Sequence, residues 1–223
     1  MTALEAYKEF ELKINGLDNS SNVDISPGEF IMLYNEQQPK WFSSKFEERS
    51  SRYAIDEVEG LVELDKTLEI ESITGRYVNC KLPSNYFDHI KTHILASRAS
   101  CTEKLLKTHE VKLLELESYL GDHFNSPSFD YRETVITFAG NKIQVYKTDF
   151  EVKSVLMTYY RYPVKIDIAG YKHVDGTDSS NVNPELPDEA VREVLDMCAL
   201  EVQRTFQNVE GFQLSTDRVN RNK

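Results

Sequence analysis

The chain has 223 residues, 40 % of them hydrophobic and 28 % charged, which is close to the average for globular proteins and excludes a wholly disordered or collagen-like chain. Its 26 Lys and Arg against 37 Asp and Glu give a formal net charge of -11, so a protein whose main task is to wrap nucleic acid is excluded. The acid is uneven: residues 1–75 hold 7 Lys or Arg against 16 Asp or Glu, a net -9, and residues 76–223 carry the remaining -2. Cys80, Cys101 and Cys198 are odd in number and widely spaced, which points to a reducing compartment rather than a disulfide framework or a zinc knuckle. The opening residues bring acids where a signal peptide needs a basic start and an apolar run, and no segment approaches the roughly 20 apolar residues of a membrane span. A soluble, intracellular protein without a membrane partner is the expectation.

In chain order, Leu4, Tyr7, Phe10 or Glu11, and Ile14 recur at spacings of three and four, which predicts an amphipathic helix over 2–15 ending before Gly16. Residues 17–24 are rich in turn formers. Ser26-Pro27-Gly28-Glu29 has the layout of a capping box opening a second helix, whose stripe of Phe30, Leu33, Tyr34, Trp41, Phe42 and Phe46 is interrupted by Gln37 and Gln38. Pro39 is expected to kink or break this helix, and residues 44–62 to continue it or end it. From Leu64 the pattern becomes extended: Leu68, Ile70 and Ile73 alternate with polar residues up to a turn at Thr74-Gly75, and 76–82 reads as a strand. Residues 86–100 fit strand or helix, with strand preferred, and 103–120 fits a strand, a helix or both. Residues 134–138 and 142–146 form a hairpin around Ala139-Gly140-Asn141, 154–160 is a further strand, and 159–168 is extended. A polar loop at 175–184 leads to Leu186-Pro187-Asp188, which opens a long helix with the stripe Val191, Val194, Leu195, Cys198, Val202 and Phe206.

The expected fold class is α+β, with an N-terminal helical layer, a β-rich middle built as an antiparallel sheet or sandwich, a long C-terminal helix and a short tail. The corresponding regions are 1–62, 63–182, 183–211 and 212–223, expected to form one compact domain overall.

No catalytic, cofactor-binding or metal site has a sequence signature here: the phosphate-binding glycine patterns, G-x-S-x-G and H-E-x-x-H are absent. His89 and His93, at i and i+4, would share a face on a helix or a strand, a possible metal pair with Asp88 adjacent. No third ligand lies nearby, so a solvated or interface pair is the expectation. Asp175, Asp178, Asn181 and Asn183 have the composition of a calcium loop but not its register, and read as a connecting loop. Tyr159, Tyr160, Arg161 and Tyr162 interleave aromatics with a cation as single-strand stacking platforms do, yet packing in a core or between subunits is the better reading. The acidic first third is a solvated face or, more sharply, the lining of a conduit to which DNA does not stick.

Four phrases carry a resemblance: Phe30-Ile-Met-Leu-Tyr-Asn-Glu-Gln-Gln38 after the opening helix, Cys80-Lys-Leu-Pro-Ser-Asn-Tyr-Phe87, Tyr159-Tyr-Arg-Tyr-Pro-Val164, and Asn183-Pro-Glu-Leu-Pro-Asp-Glu-Ala190. In this layout the chain resembles head-to-tail connector, or neck-ring, proteins of short-tailed bacteriophages, including the crAss-like group. The resemblance implies a virion structural protein, not an enzyme, made in the bacterial host cytoplasm and located in the neck or tail. It implies a homo-oligomeric ring, twelvefold, bound to the portal protein and to further neck or tail ring proteins, with DNA passing through the lumen without specific binding. The tail after residue 211 is then a candidate anchor to a neighbouring ring. The alternatives are another tail or tail-hub component and, from a different class, a small hydrolase or nuclease with an unrecognised carboxylate site.

Overall fold

The computed structural model describes residues 1–16, 23–47, 58–99, 102–122 and 124–205. The chain divides into two compact units: residues 1–61 with 162–223, and residues 62–161 between them. Residues 162–182 therefore group with the helices rather than with the β-rich middle. Lys and Arg number 13 in each unit, while Asp and Glu number 23 in the first and 14 in the second, so the net charges are -10 and -1.

In the first unit, α1 (Ala3–Asn15) starts at Thr2, whose hydroxyl accepts from the Glu5 N–H while the Glu5 carboxylate accepts from the Thr2 N–H at 2.8 Å. The same reciprocal pair between Ser26 and Glu29 opens α2 (Pro27–Glu47), as the sequence predicts. The buried stripe of α1 is Ala3, Ala6, Phe10 and Ile14, so it is rotated from the expected one; Leu4 faces solvent. Helix α2 runs through Pro39 without ending there, because the single carbonyl that Pro39 leaves without a helical donor costs less than the burial the two halves share. Gln37 and Gln38 are both buried rather than breaks in the stripe, with side-chain Nε2 atoms that have no hydrogen-bond partner, as has the buried Tyr34 hydroxyl. The expected helix over 44–62 falls largely outside the described residues; Glu59–Leu61 form a single 3-10 turn.

The last helix, called α4 here, spans Asp188–Thr205 and buries Val191, Val194, Leu195, Cys198 and Val202; Phe206 lies outside the described residues. It docks on α1 through the Lys13–Asp196 ion pair at 2.7 Å and on α2 through Glu193, which accepts from Trp41 Nε1 at 2.7 Å and Lys45 Nζ at 2.8 Å. Lys45 is buried, and the Glu193 carboxylate is one of the groups that offset the cost of burying its charge. Glu193→Gln removes the charge and keeps one acceptor; a stability loss of about 1–2 kcal/mol is expected, read by urea denaturation with the emission of Trp41, the chain's one tryptophan.

The second unit is an eight-stranded sheet: β1 (Val62–Thr67), β2 (Ile70–Ile73), β3 (Tyr77–Lys81), β4 (Tyr86–Ser97), β5 (Lys104–Glu110), β6 (Glu133–Ala139), β7 (Lys142–Tyr146) and β8 (Glu151–Arg161). The ambiguous 103–120 stretch holds both a strand and a helix, α3 (Leu116–Gly121), and the ambiguous 86–100 stretch is strand. The strand order is β1-β8-β4-β5-β6-β7-β3-β2. Every pair is antiparallel except β5 with β6, so the expected purely antiparallel arrangement is corrected to a mixed sheet. The exception follows from the connection: residues 111–132, with α3, cross over between β5 and β6 instead of turning back in a hairpin. The strand predicted to run on past Tyr160 ends at Arg161.

Only Leu68 and Glu69 separate β1 from β2, although these strands stand at opposite ends of the order. Eight strands laid flat would hold their edges about 34 Å apart, whereas this link spans about 10 Å, so the sheet must curl enough to bring the end of β1 near the start of β2. The link bonds to both sides: the Leu68 N–H donates to the Val155 carbonyl of β8, and the Glu69 carbonyl accepts from the Lys81 N–H of β3. The result is a strongly curled, barrel-like sheet whose inner face carries Val78, Cys80, Ile94, Ala96, Leu106, Ile136, Ile143, Val145, Val155, Met157 and Tyr159. A bulge in β1 between Glu63 and Lys66 carries Asp65 at φ 45°, its N–H donating to Thr158 Oγ1, and provides part of the bend that this curl needs. The predicted hairpin forms at Gly140-Asn141; only Gly140 has positive φ, at 60°, the pattern of a turn with glycine at its first central position.

Candidate functional site

A groove of about 1070 Å³ opens in the helical unit, between the first half of α2 and the loop 165–177. The two walls are fixed to each other. The Asn35 side chain forms two hydrogen bonds with the Ile166 backbone, accepting its N–H and donating to its carbonyl, both at 2.9 Å. Gly28, in the first turn of α2, faces the Tyr171 ring so closely that a Cβ there would lie 3.2 Å from it. Glycine is thus what lets this ring lie on the helix.

Asp167 organises the loop. Its buried carboxylate accepts from Ser180 N–H at 2.7 Å, Tyr171 hydroxyl at 2.8 Å, Ile168 N–H at 2.9 Å and His173 Nε2 at 3.2 Å, and its backbone forms an isolated bridge with Val182. Burial alone pushes this carboxyl up, but the donors outweigh it and hold it below the ordinary carboxylate range. Burial and the neighbouring carboxylate push the Tyr171 phenol up to about 12. A carboxylate already accepting four hydrogen bonds is a latch for the loop and poorly suited to accept a substrate's proton. The groove's walls are mainly apolar, with Met32 and the fully exposed Val174 on its rim, so its chemistry suits an extended segment with apolar side chains.

The residues singled out from the sequence do not converge. His89 Nδ1 donates to Glu110 Oε2 (3.0 Å) and its Nε2 pairs with Thr92 Oγ1 (2.9 Å), so it shares a face with Thr92 and not with its neighbour His93. The expectation that the two imidazoles share a face fails because β4 bulges between His89 and Lys91, which shifts the alternation by one. Among the described residues no group of three or more His, Cys, Asp or Glu is placed to hold a metal ion.

The calcium-like residues have other partners: within the loop, Asp175 accepts from Thr177, Asn181 from the Ala169 N–H, and Asp178 lies 3.8 Å from Lys172 Nζ, while Asn183 accepts from the Ala3 N–H of α1. Tyr159 points into the barrel and donates to Asn85, Arg161 pairs with Glu63 at 3.3 Å, and Tyr162 packs on Phe42 in the helical unit, so they form no common stacking platform. Cys80 and Cys198 are buried free thiols, with burial, helped by Glu71, pushing Cys80 up to about 11; Cys101 lies outside the described residues.

Large apolar side chains stand exposed on the crossover between β5 and β6: Leu113, Leu114 at 99 %, Phe124 and Tyr131. No family model matches the chain, and no curated protein matches it. No helix among the described residues is long and apolar enough to cross a membrane.

Asp167 and the groove escaped the sequence reading because Lys165-Ile-Asp-Ile168 alternates like a strand; the spacing of Tyr171 and His173 after Asp167 is the one signal that could have pointed to a local carboxylate cluster.

Proposed function

We propose that the chain is a ring-forming structural subunit of a phage head-to-tail connector, docking on a portal and letting DNA pass through the ring without binding it specifically. The observation that carries this reading is the set of exposed apolar side chains on the β5–β6 crossover, above all the adjacent Leu113 and Leu114, which a molecule working alone in water has no reason to display together. The charge partition supports it: a helical unit at net -10 repels DNA, beside a barrel near neutrality that other subunits can approach without repulsion. The phrases that carry the resemblance fall in α2, in the β3–β4 connection, at the end of β8 and at the entry to α4, where they build the fold.

A heterologous contact between such apolar surfaces, repeated around an axis, closes into a ring when its rotation closes. Native mass spectrometry and negative-stain imaging of the purified chain with its cognate portal are expected to show closed rings. Leu113→Lys with Leu114→Lys should weaken assembly at least tenfold while leaving the Trp41 unfolding midpoint unchanged. A chain that stays monomeric at tens of micromolar beside the portal, or that hydrolyses DNA, would sink the proposal.

A further inference from the structure

The Lys112-Leu113-Leu114-Glu115 segment of the crossover is a tight turn, closed by a hydrogen bond from the Glu115 N–H to the Lys112 carbonyl at 2.9 Å. Its ends are fixed: the Val111 N–H donates to the Ile136 carbonyl of β6, and Val111 and Leu116 are buried with Val135 and Tyr146. The two central positions, where a turn tip usually carries polar residues or glycine, are leucines exposed at 59 % and 99 %. The crossover thus presents a small convex apolar knob held by its own backbone. The loop wall of the groove is prebuilt in the same way. Residues 171–179 fold as a short hairpin, with the Ser179 N–H donating to the Tyr171 carbonyl and the His173 N–H to that of Thr177, and its base is fixed by the Asp167 latch and by Tyr171 against Gly28. Val174, 96 % exposed, stands on this hairpin, and Met32 stands exposed on the α2 wall.

We infer that the Lys112–Glu115 turn of one copy seats in the groove of a second copy, Leu113 and Leu114 between its Met32 and Val174. The inference rests on the reading of these leucines as an assembly surface and adds the surface that receives them. Charge gives the seat a direction. The α2 wall presents Glu29 and Glu36, and the loop wall presents Lys165 and Lys172 against Asp175, whose carboxylate is already engaged by Thr177. The turn carries Lys112 before its leucines and Glu115 and Glu117 after them, all exposed. Laid with Lys112 toward α2 and the two glutamates toward the loop, it meets opposite charge on both sides, and the reversed orientation meets like charge on both; such rim charges select orientation more than they add affinity. Shape points the same way. Two convex turns pressed together bury little more than their tips, whereas a groove encloses a tip from both sides. Because turn and groove are different surfaces, a copy whose groove is filled still offers its turn to the next, as a ring requires. Met32 and Val174 of one copy and the leucines of the other leave water in the same step.

The full chain tests this directly. Two variants are made in a Cys101→Ser background, Glu115→Cys and Lys172→Cys, then mixed in equal amounts and treated with a short bismaleimide; Cys80 and Cys198 are buried. Each variant carries one accessible thiol, so every link joins two chains. The expected product is a dimer whose digest joins position 115 of one variant to position 172 of the other, in at least fivefold excess over 115–115 and 172–172 dimers, and falling at least fivefold when Met32→Glu is added to the Lys172→Cys copy. Met32 is exposed, so this change should leave the Trp41 unfolding midpoint in place. A preponderance of 115–115 dimers would mean a two-fold contact between turns and overturns the proposal. If Met32→Glu alters neither cross-link nor assembly while Leu113→Lys with Leu114→Lys abolishes assembly, the leucines remain an assembly surface and their seat in the groove is wrong. Assembly that survives replacement of both leucines overturns this proposal together with the reading on which it rests.

Discussion

Asp167→Ala is expected to destabilise the helical unit by about 3 kcal/mol, because two backbone N–H groups, a phenol and an imidazole lose the carboxylate that accepted all four, the Ile168 N–H in a buried setting and the other three in a partly buried one. Urea denaturation followed by Trp41 emission reads the loss. Asp167→Asn, with one acceptor oxygen and an amide that cannot accept, should fall between the two. The pH dependence has a definite sign. The folded pKa of Asp167 lies below its ordinary value, so the stability it contributes is present above the unfolded carboxylate value of about 3.9 and is lost as pH falls through the lower folded value. The difference in stability between the native chain and Asp167→Asn should therefore be constant above about pH 5 and shrink below pH 4. A difference that grows on acidification would mean that the carboxyl is held protonated.

Phe30→Ala is expected to cost a similar amount, about 3–5 kcal/mol. The Phe30 ring is fully buried at the meeting of α1 and α2, with ring centroids of Tyr7, Phe10 and Tyr34 at 5.4, 5.1 and 5.9 Å. Its removal leaves a cavity bordered by three aromatic rings that are too large to relax into it, and forfeits edge contacts worth about 0.5–1.5 kcal/mol each. The urea midpoint by Trp41 emission should fall accordingly. Phe30→Leu, which fills much of the space, should recover more than half of the loss; equal effects of the two substitutions would point to a change in the unfolded chain instead.

The helices were legible because their ends are written locally. Thr2 with Glu5 and Ser26 with Glu29 are capping pairs that need no tertiary context, and the five described members of the predicted α4 stripe are all buried. Most strands were legible from alternation for the same reason. What was not legible depends on partners distant in sequence. How the strands of 63–161 are ordered in the sheet is decided by which strand pairs with which, and the link of Leu68 and Glu69 to β8 and β3 leaves no local trace. The parallel β5–β6 pair is likewise a matter of connection. The face of His93 was misread because one bulge reverses the alternation, and a bulge has no reliable sequence mark when it carries no glycine. Of the two outcomes expected at Pro39, the break does not occur: its local cost is real, but the burial of Tyr34, Trp41 and Phe42 on either side outweighs it. The groove was invisible since its organiser, Asp167, lies in a stretch that alternates like a strand.

The barrel begins and ends on neighbouring strands, with Val62 opposite Tyr160, while α1 and α4, which pack together, are held in place by contacts such as that of Met1 with Asp188, 187 residues apart. On a ribosome this sets a schedule. All of the barrel's strands have been synthesised once residue 161 emerges, whereas the N-terminal helices must wait for the last of the chain before their shared apolar surface can be covered. Nascent chains released before α4 is made should therefore carry a finished β-structure beside two adhesive helices, the form most prone to clump in the cell.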